Sequence, residues 1–583
     1  MNFSQNKAIW FVVVVFVLLA VLSSISNIIT ESWWFSAVNF SSVFWTVITW
    51  KIIVWIGAFL VYALFLWINF RMANRLTRNR NFRTFEGSNI QIPGQKIFNY
   101  IAGVLIIVIS FIAAGATLPW WETILKYLHA STFGTADPIF SKDVGFYFFE
   151  LPMYNGVQQW FLTLFILALL LSVVVYFLKG AIEFVKSRSN IFSGAVKTHI
   201  SVLLVGIAIL IAARFYLDRY NLLFSSSGVV FGAGYTDVHA KILSYWVMAI
   251  LTLGVAGLFI VSVLRRGVNY LLGGIGFFLI ALVVVNGLYP WFQHQFIVEP
   301  NELDKERPYI ENNIQYTRMS YGLEDVQRKN FPVEANLNKE VIAQNEPTIQ
   351  NIRLWDPKPL LSTYKQIQEI RLYYKFSDVD IDRYMINGDY RQVMLSPREF
   401  EYNQVPARAQ TWQNQRLTYT HGYGVTMSPV NIVTTEGMPE LFIKDIPPES
   451  EVDIEVTRPA IYYGEGTAYY VFTGTTEEEF DYPLGSENKF THYTGKGGVP
   501  MQSLWRKLLY AYEFGSIKIL ISDYFTSDSK VHYHRNIVNR VRNVAPFLHY
   551  DSDPYITIIS GELKWIIDAY TTSKQYPYLE PMI

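Results

Sequence analysis

Seven stretches of the chain are apolar for as long as a helix needs to cross a lipid bilayer, and no other feature constrains the fold so strongly. A helix rises about 1.5 Å per residue, so ~20 apolar residues span the roughly 30 Å hydrocarbon core. The stretches run from Ala8 to Ile29, Ile52 to Phe70, Phe98 to Leu118, Gln159 to Leu178, Thr198 to Tyr216, Lys241 to Leu264 and Asn269 to Leu288. The first is too long for a signal-peptide core, and no small-x-small cleavage site follows it at Leu22, Ser23, Ser24, Ile25 and Ser26, so it reads as a retained anchor.

Basic loops stay on the cytoplasmic side, which orients the helices. Lys7, the loops after the second and fourth stretches (Arg71, Arg75, Arg78, Arg80, Arg83, Lys96; Lys179, Lys186, Arg188, Lys197) and the turn at Arg265 and Arg266 put 13 Lys and Arg on one side. The alternate connections carry Lys51, Lys126, Lys142, Arg214, Arg219 and Lys241, diluted by seven acidic residues. The amino terminus is therefore expected inside, and an odd number of crossings puts the carboxyl portion outside. Trp33, Trp34, Trp45, Trp50, Trp120 and Trp121 cluster on the outer connections, where amphipathic rings favour the headgroup level. Mid-membrane positions lack ionisable residues; His199, Arg214 and Lys241 fall near helix ends, which argues against a proton-driven transporter. Gly206, Gly254, Gly257, Gly273, Gly274 and Gly276 read as close-packing positions.

The neutral whole conceals two halves of opposite sign. Residues 1–289 hold 19 Lys and Arg against 9 Asp and Glu, whereas residues 290–583 hold 29 against 39. An acidic exterior portion disfavours nucleic acid, since phosphate binding needs clustered cations. With no cysteine, disulfides, thiolate nucleophiles and Cys-ligated metals are excluded.

The expected architecture is an α-helical transmembrane bundle (1–289) of seven helices followed by an extracytoplasmic α+β domain (290–583), read either as one domain or as a helical part, 299–376, packed on a mixed part, 377–583. Helices are predicted over Pro300 to Leu323, kinked at Pro308, over Pro359 to Phe376, over Met501 to Phe514 and over Asn536 to Val544. Asn387-Gly388 signals a type I′ hairpin, and Gly561-Glu562 a second turn joining Tyr555–Ser560 to Leu563–Tyr570.

Asp378, Asp380 and Asp382 alternate with Val379 and Ile381, so an extended backbone aims three carboxylates to one side. Such an oxygen set suits Ca²⁺ or Mg²⁺. The spacing also opens an EF-hand loop, but Arg383 stands where that loop needs glycine. Arg-paired or solvated carboxylates are the alternative. His421-Gly422-Tyr423-Gly424 with Ser428 has no Gly-x-Ser-x-Gly elbow and reads as a tight turn. His532 and His534 lack zinc spacing, and Gly495-Lys496-Gly497-Gly498 lacks the Ser or Thr of a phosphate loop. Asp481, Asp523, Asp528, Asp551, Asp553 and Asp568 offer further carboxylates without identifying a pair.

Residues 137–153 (DPIFSKDVGFYFFELPM), 218–240 (DRYNLLFSSSGVVFGAGYTDVHA), 298–309 (VEPNELDKERPY) and 354–384 (LWDPKPLL through DVDIDRY) together resemble the uncharacterised protein family 0182 of bacterial multi-pass membrane proteins. So do 419–431 (YTHGYGVTMSPVN), 444–448 (KDIPP), 495–500 (GKGGVP) and 565–577 (WIIDAYTTSKQYP). The resemblance covers nearly the whole chain and implies a seven-helix protein of the bacterial plasma membrane with a large extracytoplasmic domain. It implies no catalytic residues. Members of the family typically continue well past the point matching Pro577, so the chain is expected to be truncated or short. The leading functional expectation is binding or scaffolding at the cell envelope, to an envelope component or protein partner. A membrane conduit capped by the domain and a tethered enzyme acting on an envelope polymer or lipid are the alternatives.

Overall fold

The computed structural model describes residues 22–80, 82, 94–182, 194–265, 268–333, 337–485 and 487–580. The N-terminal half is built of apolar helices and the C-terminal portion is rich in strands. Two compact units emerge, one formed by 1–46 with 330–572 and the other by 47–329 with 573–583.

Among the described residues, six helices are long and apolar enough to cross a membrane: Ser41–Leu76, Gln95–Gly115, Phe146–Leu178, Gly194–Phe224, Asp237–Leu264 and Asn269–Ser320. They correspond to the last six of the seven predicted stretches and contain five of them whole, whereas the helix matching Phe98 to Leu118 ends at Gly115. Most of the first, Ala8 to Ile29, lies outside the described residues, and the chain is helical from 22 to 37. Most of the helices overrun their apolar cores; the last continues through π-helical turns, Pro290 and Pro308 as far as Ser320.

No more than 39% of any span's most apolar window is buried within the protein, so these helices turn most of their apolar surface outward. Leu64, Ile112, Ile250 and Ile280 are among the side chains left exposed. Such a surface suits lipid rather than water. Inside the helical unit, Leu66, Phe70, Phe98, Ile106, Ala168 and Tyr176 form a core. A Cβ on Gly206 would strike the Phe165 ring, and one on Gly274 would lie 3.1 Å from Phe259, so these two glycines do allow close packing. Gly254, Gly257, Gly273 and Gly276 have no such neighbour among the described residues, which corrects the expectation for them. Several polar groups inside the unit are paired: His199 bonds Asn69 at 2.9 Å and Tyr176 at 2.5 Å, and Lys179 donates to Asn74 at 2.5 Å and Gln95 at 2.7 Å.

The strand-rich unit centres on a five-stranded antiparallel sheet in sequential order: β1 (Asp380–Ile386), β2 (Asp389–Pro397), β3 (Val425–Pro429), β4 (Ile443–Lys444) and β5 (Glu449–Ser450). The β1–β2 turn is Asn387-Gly388 with φ of 52° and 91°, the left-handed pair that a two-residue hairpin requires. Val393, Leu395, Val425, Met427 and Ile443 bury one face together with Ile556 and Ile558 of the hairpin strand Tyr555–Ile559. That hairpin turns at Ser560-Gly561, one residue earlier than expected, so Ile559 pairs with Glu562. The helix expected to reach Phe376 stops at Gln368, because Tyr374 and Lys375 pair as a strand with Phe400 and Glu399. Helices Leu504–Glu513 and Ile537–Val544 start at Ser503 and Asn536, whose side chains accept from the N–H groups of Arg506 and Asn539.

Two buried arginines tie loops to this framework. Arg398 donates to Gln368 O, Tyr423 O and Thr426 Oγ1, and Arg535 to the carbonyls of Tyr462, Tyr469 and Thr420. Residues 22–46 belong to this unit. Tyr533 donates to Thr30 O at 2.7 Å, His534 meets Glu31 at 2.8 Å, and Trp34, only 2% exposed, packs edge-on against His534. Trp34 is thus a packing residue rather than the headgroup-level ring expected of it.

Candidate metal centre

The loop after Phe376 enters β1 at Asp380, so Asp378 and Asp380 stand side by side at the open end of the sheet. Ser396 of β2 fixes the first of them by donating its hydroxyl to the Asp378 carbonyl. Asp553 arrives from the turn before Tyr555–Ile559. Each of the three aspartates offers one carboxylate oxygen, and these oxygens all lie within 4.8 Å of one another. Oxygens that share a Ca²⁺ at about 2.3–2.6 Å can be no more than ~5 Å apart, so the triad has the spacing of a common ligand set.

Asp382 does not belong to it. Its Oδ2 accepts a 2.7 Å hydrogen bond from Thr557, whose hydroxyl also meets Tyr384. The reason is geometric: alternate side chains do share a face, but three of them stretch over about 13 Å of strand, too far to converge on one ion. The third carboxylate comes instead from a residue distant in sequence.

Glu465 completes the acidic neighbourhood. Burial raises its carboxyl to about 8, with Asp378, Glu399, Asp380 and Asp553 adding to the shift. Burial likewise takes Asp380 to about 7, helped by Asp378 and Asp553, and Asp378 to about 6, helped by Asp553. Asp378 Oδ1, Asp380 Oδ2 and Glu465 Oε2 are buried and have no hydrogen-bond partner. Glu399 differs: burial raises its carboxyl too, but the N–H groups of Glu465 and Gly466 donate to it at 2.8 and 3.0 Å, and Arg535 opposes the shift. Glu399 therefore braces the Glu465 loop, while the other carboxylates keep lone pairs uncommitted.

The remaining sequence candidates are held in structural roles. His421 contacts Thr420 at 2.8 Å and Asp481 at 3.4 Å, and Ser428 contacts Tyr364 at 2.5 Å. His532 is enclosed between Tyr463 and Thr473, and burial holds its imidazole well below its ordinary value. His534 turns away to Glu31, so the two histidines share no ligand. Gly497 donates its N–H to Tyr493 at 2.9 Å instead of presenting it to a phosphate. Of the further aspartates, only Asp553 joins the centre.

Apolar helices of membrane-crossing length followed by a strand-rich domain with a cluster of carboxylates are the pattern of a membrane protein. The chain belongs to the uncharacterised protein family UPF0182, whose model matches residues 8–582. It is 53% identical over 578 residues to a UPF0182 protein of Trichodesmium erythraeum, covering 98% of this chain and 63% of that one. It is 40% identical over 585 residues to a UPF0182 protein of Pelotomaculum thermopropionicum, with 97% and 63% covered. A Cupriavidus necator UPF0182 protein is 41% identical over 585 residues, with 98% and 63% covered. The chain thus spans 63% of the length of these relatives. No solved structure matches it.

Proposed function

We propose that the protein is an integral plasma-membrane protein that presents its strand-rich domain outside the cytoplasm and binds there, at the cell envelope, through a domain organised by a divalent cation. The excess of basic residues in alternate connections supports a cytoplasmic amino terminus. Asp378, Asp380 and Asp553 are the cation ligands in this reading, with Glu465 beside them. The observation that carries it is the convergence of three aspartate oxygens within 4.8 Å, two of the three aspartates having a buried oxygen with no other partner. A carboxylate-rich set favours Ca²⁺ over Mg²⁺, which keeps several waters and takes only one or two carboxylates. Neutralised by the cation, the loops carrying Asp378, Glu465 and Asp553 form one ordered surface for an envelope component or protein partner.

Calorimetric titration of the purified full chain with Ca²⁺ tests the reading. One saturable site is expected, lost in Asp380→Asn and in Asp553→Asn and retained in Asp382→Asn. Equal binding by wild type and Asp380→Asn would refute it.

A further inference from the structure

A separate cavity of about 270 Å³ lies in the helical unit, lined by Ser227, Asp237, Lys241, Asn286, Trp291, His294 and Glu306 among others. The volume falls just below the ~300–1,000 Å³ of drug-sized pockets, so the site suits a small polar group. Its depth along the helices says where that group comes from. Asn269 begins the last candidate span, and Asn286 lies about 26 Å further on at 1.5 Å per residue, close to a full hydrocarbon thickness. Asp237 begins the preceding span. The cavity therefore opens at headgroup level, with the exposed ring of Trp291 at its edge.

Its lining carries charge of both signs. Lys241 lies 2.7 Å from Asp237 and donates to Ser227 at 2.9 Å, which occupies two of the three ammonium protons and leaves one free. Asp237 is thereby neutralised. Glu306 is not: it is 4% exposed, no cation pairs with it among the described residues, and both its oxygens share the single N–H of Tyr235 at 3.1 Å. A buried carboxylate with one donor for two oxygens is costly unless a cation meets it. His294, whose Nδ1 lies 3.4 Å from Thr236, adds a second nitrogen-bearing group to the wall.

We infer that this cavity binds the headgroup of an aminoethyl phospholipid, its primary ammonium against Glu306 and Trp291 and its phosphate against Lys241 and His294. A primary ammonium supplies the several donors that Glu306 lacks and stacks favourably on an indole face. An anionic headgroup without an amine would set its charge beside Glu306 unrelieved. The site is independent of the aspartate centre in the other unit, so either can fail alone.

Native mass spectrometry of the full chain, loaded from equimolar phosphatidylethanolamine and phosphatidylglycerol, reads the preference. Charge-assisted bonds to a buried carboxylate predict about tenfold retention of phosphatidylethanolamine over phosphatidylglycerol, falling to near parity in Glu306→Gln. Lys241→Met is expected to weaken retention of both lipids. Equal retention by the wild type, or an undiminished preference in Glu306→Gln of unchanged melting temperature, would overturn the assignment. Displacement of the lipid by an equal concentration of soluble phosphoethanolamine would assign the cavity to a soluble amine and likewise overturn it.

Discussion

Two sets of aspartates in this protein are treated in opposite ways. In the helical unit the Asp137 carboxylate takes hydrogen bonds from the N–H groups of Ile139, Phe140 and Lys142 and from the Tyr147 hydroxyl. Nearby Asp143 accepts from Phe133, Gly134 and Gly145, and these backbone donors hold its carboxyl below the ordinary value despite some desolvation. In the strand-rich unit Asp378 and Asp380 each keep a buried oxygen without a donor, and both are pushed upward. A saturated carboxylate is a structural knot and needs nothing further. An unsaturated one among like charges is destabilising unless a proton or a cation arrives.

The largest expected effect breaks the knot. Asp137→Ala strands several buried donors and should lower the stability of the full chain by about 3–5 kcal/mol, read from thermal unfolding in detergent. Asp380→Asn should do the reverse in chelator, raising metal-free stability at pH 8 by about 1–2 kcal/mol once solvent screening is discounted. If both substitutions destabilise alike, the contrast between the two sets fails.

A saturating cation should separate wild type from variant by an amount between these two. At a Ca²⁺ concentration about 100 times Kd, the wild type gains about 2.7 kcal/mol and Asp380→Asn gains nothing. The pH dependence has a definite sign. Carboxyls at about 6, 7 and 8 in the folded protein hold protons that the unfolded chain has already released, so the folded state binds more protons between pH ~4 and ~8. Their contribution to metal-free stability is therefore full at low pH and is lost as pH rises through that window, and a denaturant series at fixed pH steps in chelator would display the decline. The smallest effect belongs to Asp382→Asn, which keeps the Ca²⁺ response and costs about 1 kcal/mol through the weakened bond to Thr557.

What the sequence disclosed followed from how far each signal acts. Apolar length reports a span by itself, since roughly 30 Å of hydrocarbon sets one scale for every such helix. Asn387-Gly388 reports its hairpin because the two residues carry the required left-handed backbone, and Asn536 reports a helix start through a bond only three residues long, whereas the helix predicted from Met501 begins only after Ser503. Asp378 and Asp380 were legible as neighbours on an extended segment. Asp553 was not: it reaches them through the packing of Ile556 and Ile558 against the sheet core, a contact that no local pattern encodes. Glu465 was missed for the same reason. The early end of the helix at Gln368 also depended on a distant strand, Glu399–Phe400, and its price is Ile370 at φ 61°.

Proton release on cation binding tests the central claim most directly. Ca²⁺ must displace protons from Asp378, Asp380 and Glu465, so titrating the full chain at pH 6.5 in two buffers of different ionisation enthalpy should report release of about one to two protons per ion. Release should vanish in Asp380→Asn. Binding of Ca²⁺ with no proton released at that pH, or no binding at all, would contradict the account.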